Sequence, residues 1–102
     1  MRPEMFVKDL KPNQAVDLLE LHITEKAEAR DFTSKYGKPG RVCNAVGKDK
    51  QGDTVEVTLW NDDIEKVVSG QRIRITNGWV KQWRGKMQVS PSHKGTLEII
   101  SN

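Results

Sequence analysis

A small closed β-barrel is the fold this sequence predicts, and three observations predict it. Apolar and polar residues alternate with period two over several short segments, glycine-marked bends separate those segments, and one short helical pattern falls between the third and the fourth. With 102 residues the chain forms one domain, 1–102, expected to bury roughly two-thirds of its unfolded surface.

Residues 1–15 mix Met5, Phe6, Val7 and Leu10 with Pro3 and Pro12, which suits an N-terminal arm or short helical lid over one end of a core. Leu19, Leu21 and Ile23 then alternate with Glu20 and His22, marking a half-buried first strand from Val16 to Ile23 that is extended towards Phe32. Ser34 through Gly40 concentrates turn formers and lysines, and reads as an exposed loop with a basic tip. A second strand follows from Arg41 to Gly47. Asp49-Lys50-Gln51-Gly52 makes a tight connection to a third, in which Val55, Val57 and Leu59 alternate with Glu56, Thr58 and Trp60. Trp60 is thereby turned away from the apolar face.

Asn61 through Val68 predicts a short helix, with Asn61 as N-cap and acids in its first turn, ended by Ser69-Gly70. The fourth strand runs from Gln71 to Val80 with Ile73 and Ile75 inward, and Lys86 to Ser90 forms a fifth after a turn at Arg84-Gly85. Because Pro91 through Gly95 interrupts the pattern, Leu97 to Ile99 is expected to be a separate short strand pairing elsewhere. An all-β, five-stranded OB-fold barrel with a helix between strands three and four fits this order. A small open β-sandwich or an SH3-like barrel is compatible with the same strands.

Composition narrows the chemistry. Seventeen Lys and Arg against fourteen Asp and Glu give a formal charge of +3, which suits an anionic partner without requiring one. Cys43 is the single cysteine and packs as a small apolar side chain; with only His22 and His93 beside it, no zinc-ligand spacing arises, and neither metal nor cofactor is expected. No apolar run approaches a membrane span and no signal-peptide core is present, so a soluble, intracellular protein of the cytoplasm without a membrane partner is expected. Asp62 and Asp63 are explained by the helix dipole, the histidines lack a triad motif, and Gly85-Lys86 lacks phosphate-loop spacing. The reading is a non-enzyme without a small-molecule substrate.

The tryptophans carry the functional signal. Strict alternation through the fourth strand would put Trp79 on the face of Ile73 and Ile75, but Asn77-Gly78 is a bulge signal, and one extra residue reverses the facing of everything after it. Trp79, Lys81 and Trp83 then share the outer face with Trp60. Lys35, Tyr36, Lys38 and Arg41 on one side and Lys81, Arg84 and Lys86 on the other flank the same groove. Indole plates between cationic walls suit unpaired bases, because each stacked base contributes about 1–3 kcal/mol and phosphates meet Lys and Arg. Tyr36 is divided between ligand contact and loop packing, Phe6 and Phe32 are assigned to the core, and Arg72 and Arg74 read as solvated charge.

Val57-Thr58-Leu59-Trp60, the helix ending at Gly70, Ile73 through Asn77-Gly78-Trp79, and Trp83-Arg84-Gly85-Lys86-Met87-Gln88-Val89 together resemble the archaeal single-stranded-DNA-binding proteins with one OB domain. Those are similar in turn to the human single-domain SSB proteins and to the DNA-binding domains of replication protein A. The resemblance spans about Leu10 to Ile100. It implies base stacking on Trp60, Trp79 and Trp83, and work in DNA replication, recombination and repair beside other proteins of those processes. Such proteins often recruit partners through a flexible C-terminal tail, whereas here Asn102 directly follows the last strand. A monomer binding single-stranded DNA with little sequence preference is expected; an RNA-binding OB domain and a protein-interaction subunit of a replication complex are the alternatives.

Overall fold

Period-two alternation becomes five long strands that curl until the first meets the third. A computed structural model describes residues 5–101, without the side chains of Trp83, residues 92–94 and Ser101. The strands are β1 (Gln14–Lys26), β2 (Arg30–Thr33), β3 (Pro39–Lys48), β4 (Thr54–Trp60), β5 (Arg72–Trp83) and β6 (Lys86–Ser101), with a helix α1 (Asp62–Lys66) between β4 and β5. Sheet order is β1-β5-β6-β4-β3-β2, and an additional β1–β3 pairing closes five of them into a barrel. Pairing is antiparallel except between β4 and β6, where Glu56 and Val57 run parallel to Gln88 and Val89. The barrel is an OB-fold rather than an open sandwich.

The interior is filled by the alternate apolar residues, among them Leu19, Leu21, Ile23, Val57, Leu59, Ile73, Ile75 and Val89, all buried with Cys43. Ile64 and Val67 of the helix segment plug the barrel beyond the end of β4. At that strand's other end, a 3-10 turn (Val7–Asp9) buries Val7 and Leu10. Asp49 ties this turn down: its buried carboxylate accepts backbone N–H groups from Val7 at 2.8 Å, Gln51 at 2.9 Å and Asp53 at 3.0 Å. Burial alone would raise its pKa, but these N–H donors, with that of Gly52, outweigh it and hold the pKa below the ordinary aspartate value.

Three expectations need correction. The first strand does not run on to Phe32: it ends at Lys26, the Ala27 N–H bonds the Asn44 carbonyl, and Arg30–Thr33 forms a hairpin strand on β3 instead. Asn61 is the N-cap residue, and its carbonyl accepts the Ile64 N–H at 3.1 Å, but its side chain makes no capping hydrogen bond. Its φ is +52°, and its Oδ1 accepts the Arg41 N–H at 3.0 Å, so the side chain pins β3 to the end of β4. Leu97 to Ile99 pairs on the same β5 as the preceding residues, since Thr96 faces Thr76 and Pro91 faces Gly78, with residues 92–95 accommodated opposite Asn77 alone.

Candidate nucleic-acid interface

The outer surface of β3, β4, β6 and β5 forms one continuous wall, and backbone parity decides what stands on it. Leu59 is buried, so its neighbour Trp60 points outward with 41% of its surface exposed. On β5 the alternation reverses. Ile73 and Ile75 are inward, Asn77 has φ +54° at a register shift against β6, and beyond it Gly78 and Val80 are the inward residues, which leaves Trp79 outside with 38% exposure. Gly78 permits this, because a Cβ there would lie 2.8 Å from Ile75 Cγ2 and 3.1 Å from the Ser90 carbonyl oxygen. The partner strand turns over at the same place: Val16 and Leu19 are both buried, three positions apart, while their register to β5 never slips. Two strands therefore bend together, and the bend delivers Trp79 to solvent.

Between the tryptophans the wall is polar. Asn44 faces Thr58, Ser90 faces Trp79, Glu56 faces Gln88 and Gln88 faces the exposed Lys81. By strand spacing and residue rise, the two indole-bearing positions are roughly 12 Å apart along the wall. Trp83 and Lys86 pair across the two-residue Arg84–Gly85 turn, with Arg84 and Lys86 exposed; the Trp83 side chain lies outside the described residues. A cleft of about 690 Å³ adjoins the wall, lined by Lys26, Asn44, Val46, Glu56, Lys86 and Met87 among others, with neither Trp60 nor Trp79 among its described lining residues.

Phe32 belongs to this surface and not to the core. It is half-buried, and its ring meets the Trp60 ring edge-on, with centroids 5.5 Å apart and planes at 83°. Gly40, its cross-strand partner, leaves the room: a Cβ there would come within 2.5 Å of the Phe32 ring. Counting back from the Ser34–Gly40 turn pairs Phe32 with Gly40, so the hairpin register was a signal that could have found it. Phe6 is likewise half-buried rather than core. Arg30 shares Phe32's parity on β2 and faces Val42, which faces Trp60, so an unforeseen cation stands in the same row.

The predicted basic loop is the hairpin tip. Ser34 organises it, its Oγ accepting N–H groups from Tyr36 and Lys38, while Tyr36 is 79% exposed with the Lys35 ammonium 5.2 Å from its ring centroid. Lys38 is exposed nearby. Arg41 precedes Val42, the cross-strand partner of Trp60, and lies 3.3 Å from Glu65 in a second cleft of about 430 Å³ that also contains Asp31 and Asp62. Both partners are largely exposed, and such a pair contributes little, so Glu65 is readily exchanged. Among the described residues, no cluster of three metal-ligating side chains exists and no helix is long and apolar enough to cross a membrane.

No protein-family model matches the chain. Over 98 residues it is 30% identical to the single-stranded DNA binding protein Ssb of Saccharolobus solfataricus, an alignment covering 96% of this chain. The chain spans 65% of that relative's length. The second OB-fold domain of replication protein A from Methanococcus maripaludis superimposes with a TM-score of 0.79 at 23% identity, over 98% of this chain and 97% of that one. A replication protein A heterotrimer bound to single-stranded DNA matches with a TM-score of 0.69 at 14% identity, over all of this chain and 25% of the other. Sequence and architecture thus agree that the chain is an OB-fold domain similar to archaeal single-stranded-DNA-binding protein and to the OB domains of replication protein A.

Proposed function

We propose that this chain binds single-stranded DNA without catalysing a reaction, stacking bases on Trp60, Trp79 and Trp83 while Lys35, Lys38, Arg41, Lys81, Arg84 and Lys86 attract phosphates and Tyr36 borders the path. The observation that carries this reading is the pair of part-exposed indoles, Trp60 and Trp79, on one polar wall. The name of the Saccharolobus relative and the DNA-bound replication protein A heterotrimer support the choice of ligand. A π-face is common to every base, so sequence preference is slight, and a duplex, whose bases are already stacked, competes poorly. Protection of exposed strands during replication, recombination and repair follows as the role, in a monomer of the cytoplasmic nucleoid working beside replication or repair proteins.

Adding oligo-dT should quench tryptophan fluorescence, and Trp60→Ala combined with Trp79→Ala should weaken binding by about 2–6 kcal/mol, at about 1–3 kcal/mol per base, without lowering the melting temperature. Unchanged affinity in the double variant would refute stacking. Preference for a matched RNA oligomer would move the assignment to RNA, where the 2′-hydroxyl decides. Absence of any quenching would favour a protein-interaction subunit.

A further inference from the structure

Away from the tryptophan wall, three basic side chains line up across three adjacent strands. His22 on β1 faces Lys48 on β3 and Arg72 on β5, and all three are exposed. Lys48 and Arg72 stand one strand to either side of His22, roughly 10 Å apart, which places two cations around a ring able to donate an N–H, a spacing that a bound anion can bridge. The neighbouring acids are committed elsewhere. Glu20 binds Arg74 through Nε and Nη2 at 3.1 and 3.0 Å and Lys50 at 3.4 Å, while Asp49 turns its carboxylate to backbone N–H groups. Among the described residues, Lys48 and Arg72 have no ion-pair partner. A cleft of about 250 Å³ lies here, lined by His22, Lys48, Lys50 and Arg72 together with Glu20 and Asp49.

We propose that the Lys48–His22–Arg72 row is a second phosphate-binding site, which takes the backbone of a nucleic-acid strand that has run on past the tryptophans. Arg72 lies seven residues from Trp79 along β5, roughly 23 Å at strand rise, so an oligomer just long enough to cover the indoles does not reach it and a longer one does. Lys48 and Arg72 supply charge, and His22 supplies a ring N–H between them. The inference takes its ligand from the strand-binding reading above, and the test keeps the two separable.

The test compares the wild type with a triple variant, His22→Gln, Lys48→Gln and Arg72→Gln, on oligo-dT of about 5 and about 16 nucleotides, with strands in excess so that each holds one protein. The expected result is equal affinity for the short strand and a loss of about 3- to 10-fold on the long one. The logarithmic salt slope for the long strand should also become shallower by about 0.7 for each phosphate no longer held. Equal loss at both lengths would reduce the row to general charge attraction, and no loss at either would overturn the site. Inorganic tripolyphosphate separates the sources of phosphate. Should the short strand fail to bind wild type, the proposed function falls, yet a rise in melting temperature with tripolyphosphate in wild type and not in the triple variant would uphold the phosphate site; no rise would remove both.

Discussion

The two ends of β4 use the same device for opposite purposes. Before the strand, the Asp49 carboxylate gathers backbone N–H groups from its own turn and from Val7, 42 residues away, and is wholly engaged inside the fold. After the strand, the Asn61 amide takes one N–H, from Arg41, and beside it Trp60 and Phe32 remain open to solvent. One end uses its polar groups to hold the chain together, and the other holds a surface ready. Substitutions should therefore separate cleanly into those that lower stability and those that lower binding.

The largest effect is expected at the closed end. Asp49→Ala leaves buried N–H groups without an acceptor and should destabilise the fold by about 2–5 kcal/mol, measured by urea unfolding, with strand affinity of the remaining folded protein unchanged. The sign with pH follows from the lowered pKa: the stabilisation is complete above the unfolded aspartate value of about 3.9 and disappears as pH falls through the folded value. Glu20 acts in the same direction; burial opposes its ionisation, but Arg74 and Lys50 prevail and lower its pKa. Wild type should lose stability below about pH 4, and Asp49→Ala should show a shallower acid limb. A variant as acid-sensitive as wild type would contradict this account of the closed end.

Gly78→Ala should cost about 1–3 kcal/mol, because its methyl group meets Ile75 and the Ser90 carbonyl. Here the two categories blur, since displacing β5 moves Trp79 too, and both melting temperature and affinity should fall. An affinity that holds while stability drops would show that Trp79 does not depend on the bend. Phe32→Ala should give the smallest change, about 0.5–1.5 kcal/mol in strand affinity, by freeing the Trp60 ring that it meets edge-on. If it lowers only stability, Phe32 belongs with the closed end after all.

Local pattern makes much of this readable. The outward turn of Trp60 follows from alternation with Leu59, and Asn77-Gly78 announces the reversal that exposes Trp79, because a glycine inside a strand pattern is a bulge signal visible in the sequence itself. What escapes depends on partners far along the chain. Asp49 beside Lys50-Gln51-Gly52 reads as an ordinary turn residue, and its bond to Val7 exists only once the barrel is closed. Phe32 escapes because a first strand extended over it hides the hairpin that sets it against Gly40 and Trp60. The row of His22, Lys48 and Arg72 is scattered in sequence and meets only through register. Asn61 reads as a side-chain cap because its position before acids is that of a cap, while its side chain has a strand N–H within reach.

The parallel seam between β4 and β6 has two registered pairs, Glu56 with Gln88 and Val57 with Val89. It joins the half of the wall that bears Trp60 to the half that bears Trp79, across a long stretch of intervening chain. Pairings so distant in sequence form slowly, after local hairpins have settled. Trp60 and Trp79 both precede β6 in the chain, so the two indoles acquire a common plane only once Gln88 and Val89 have docked beside Glu56 and Val57.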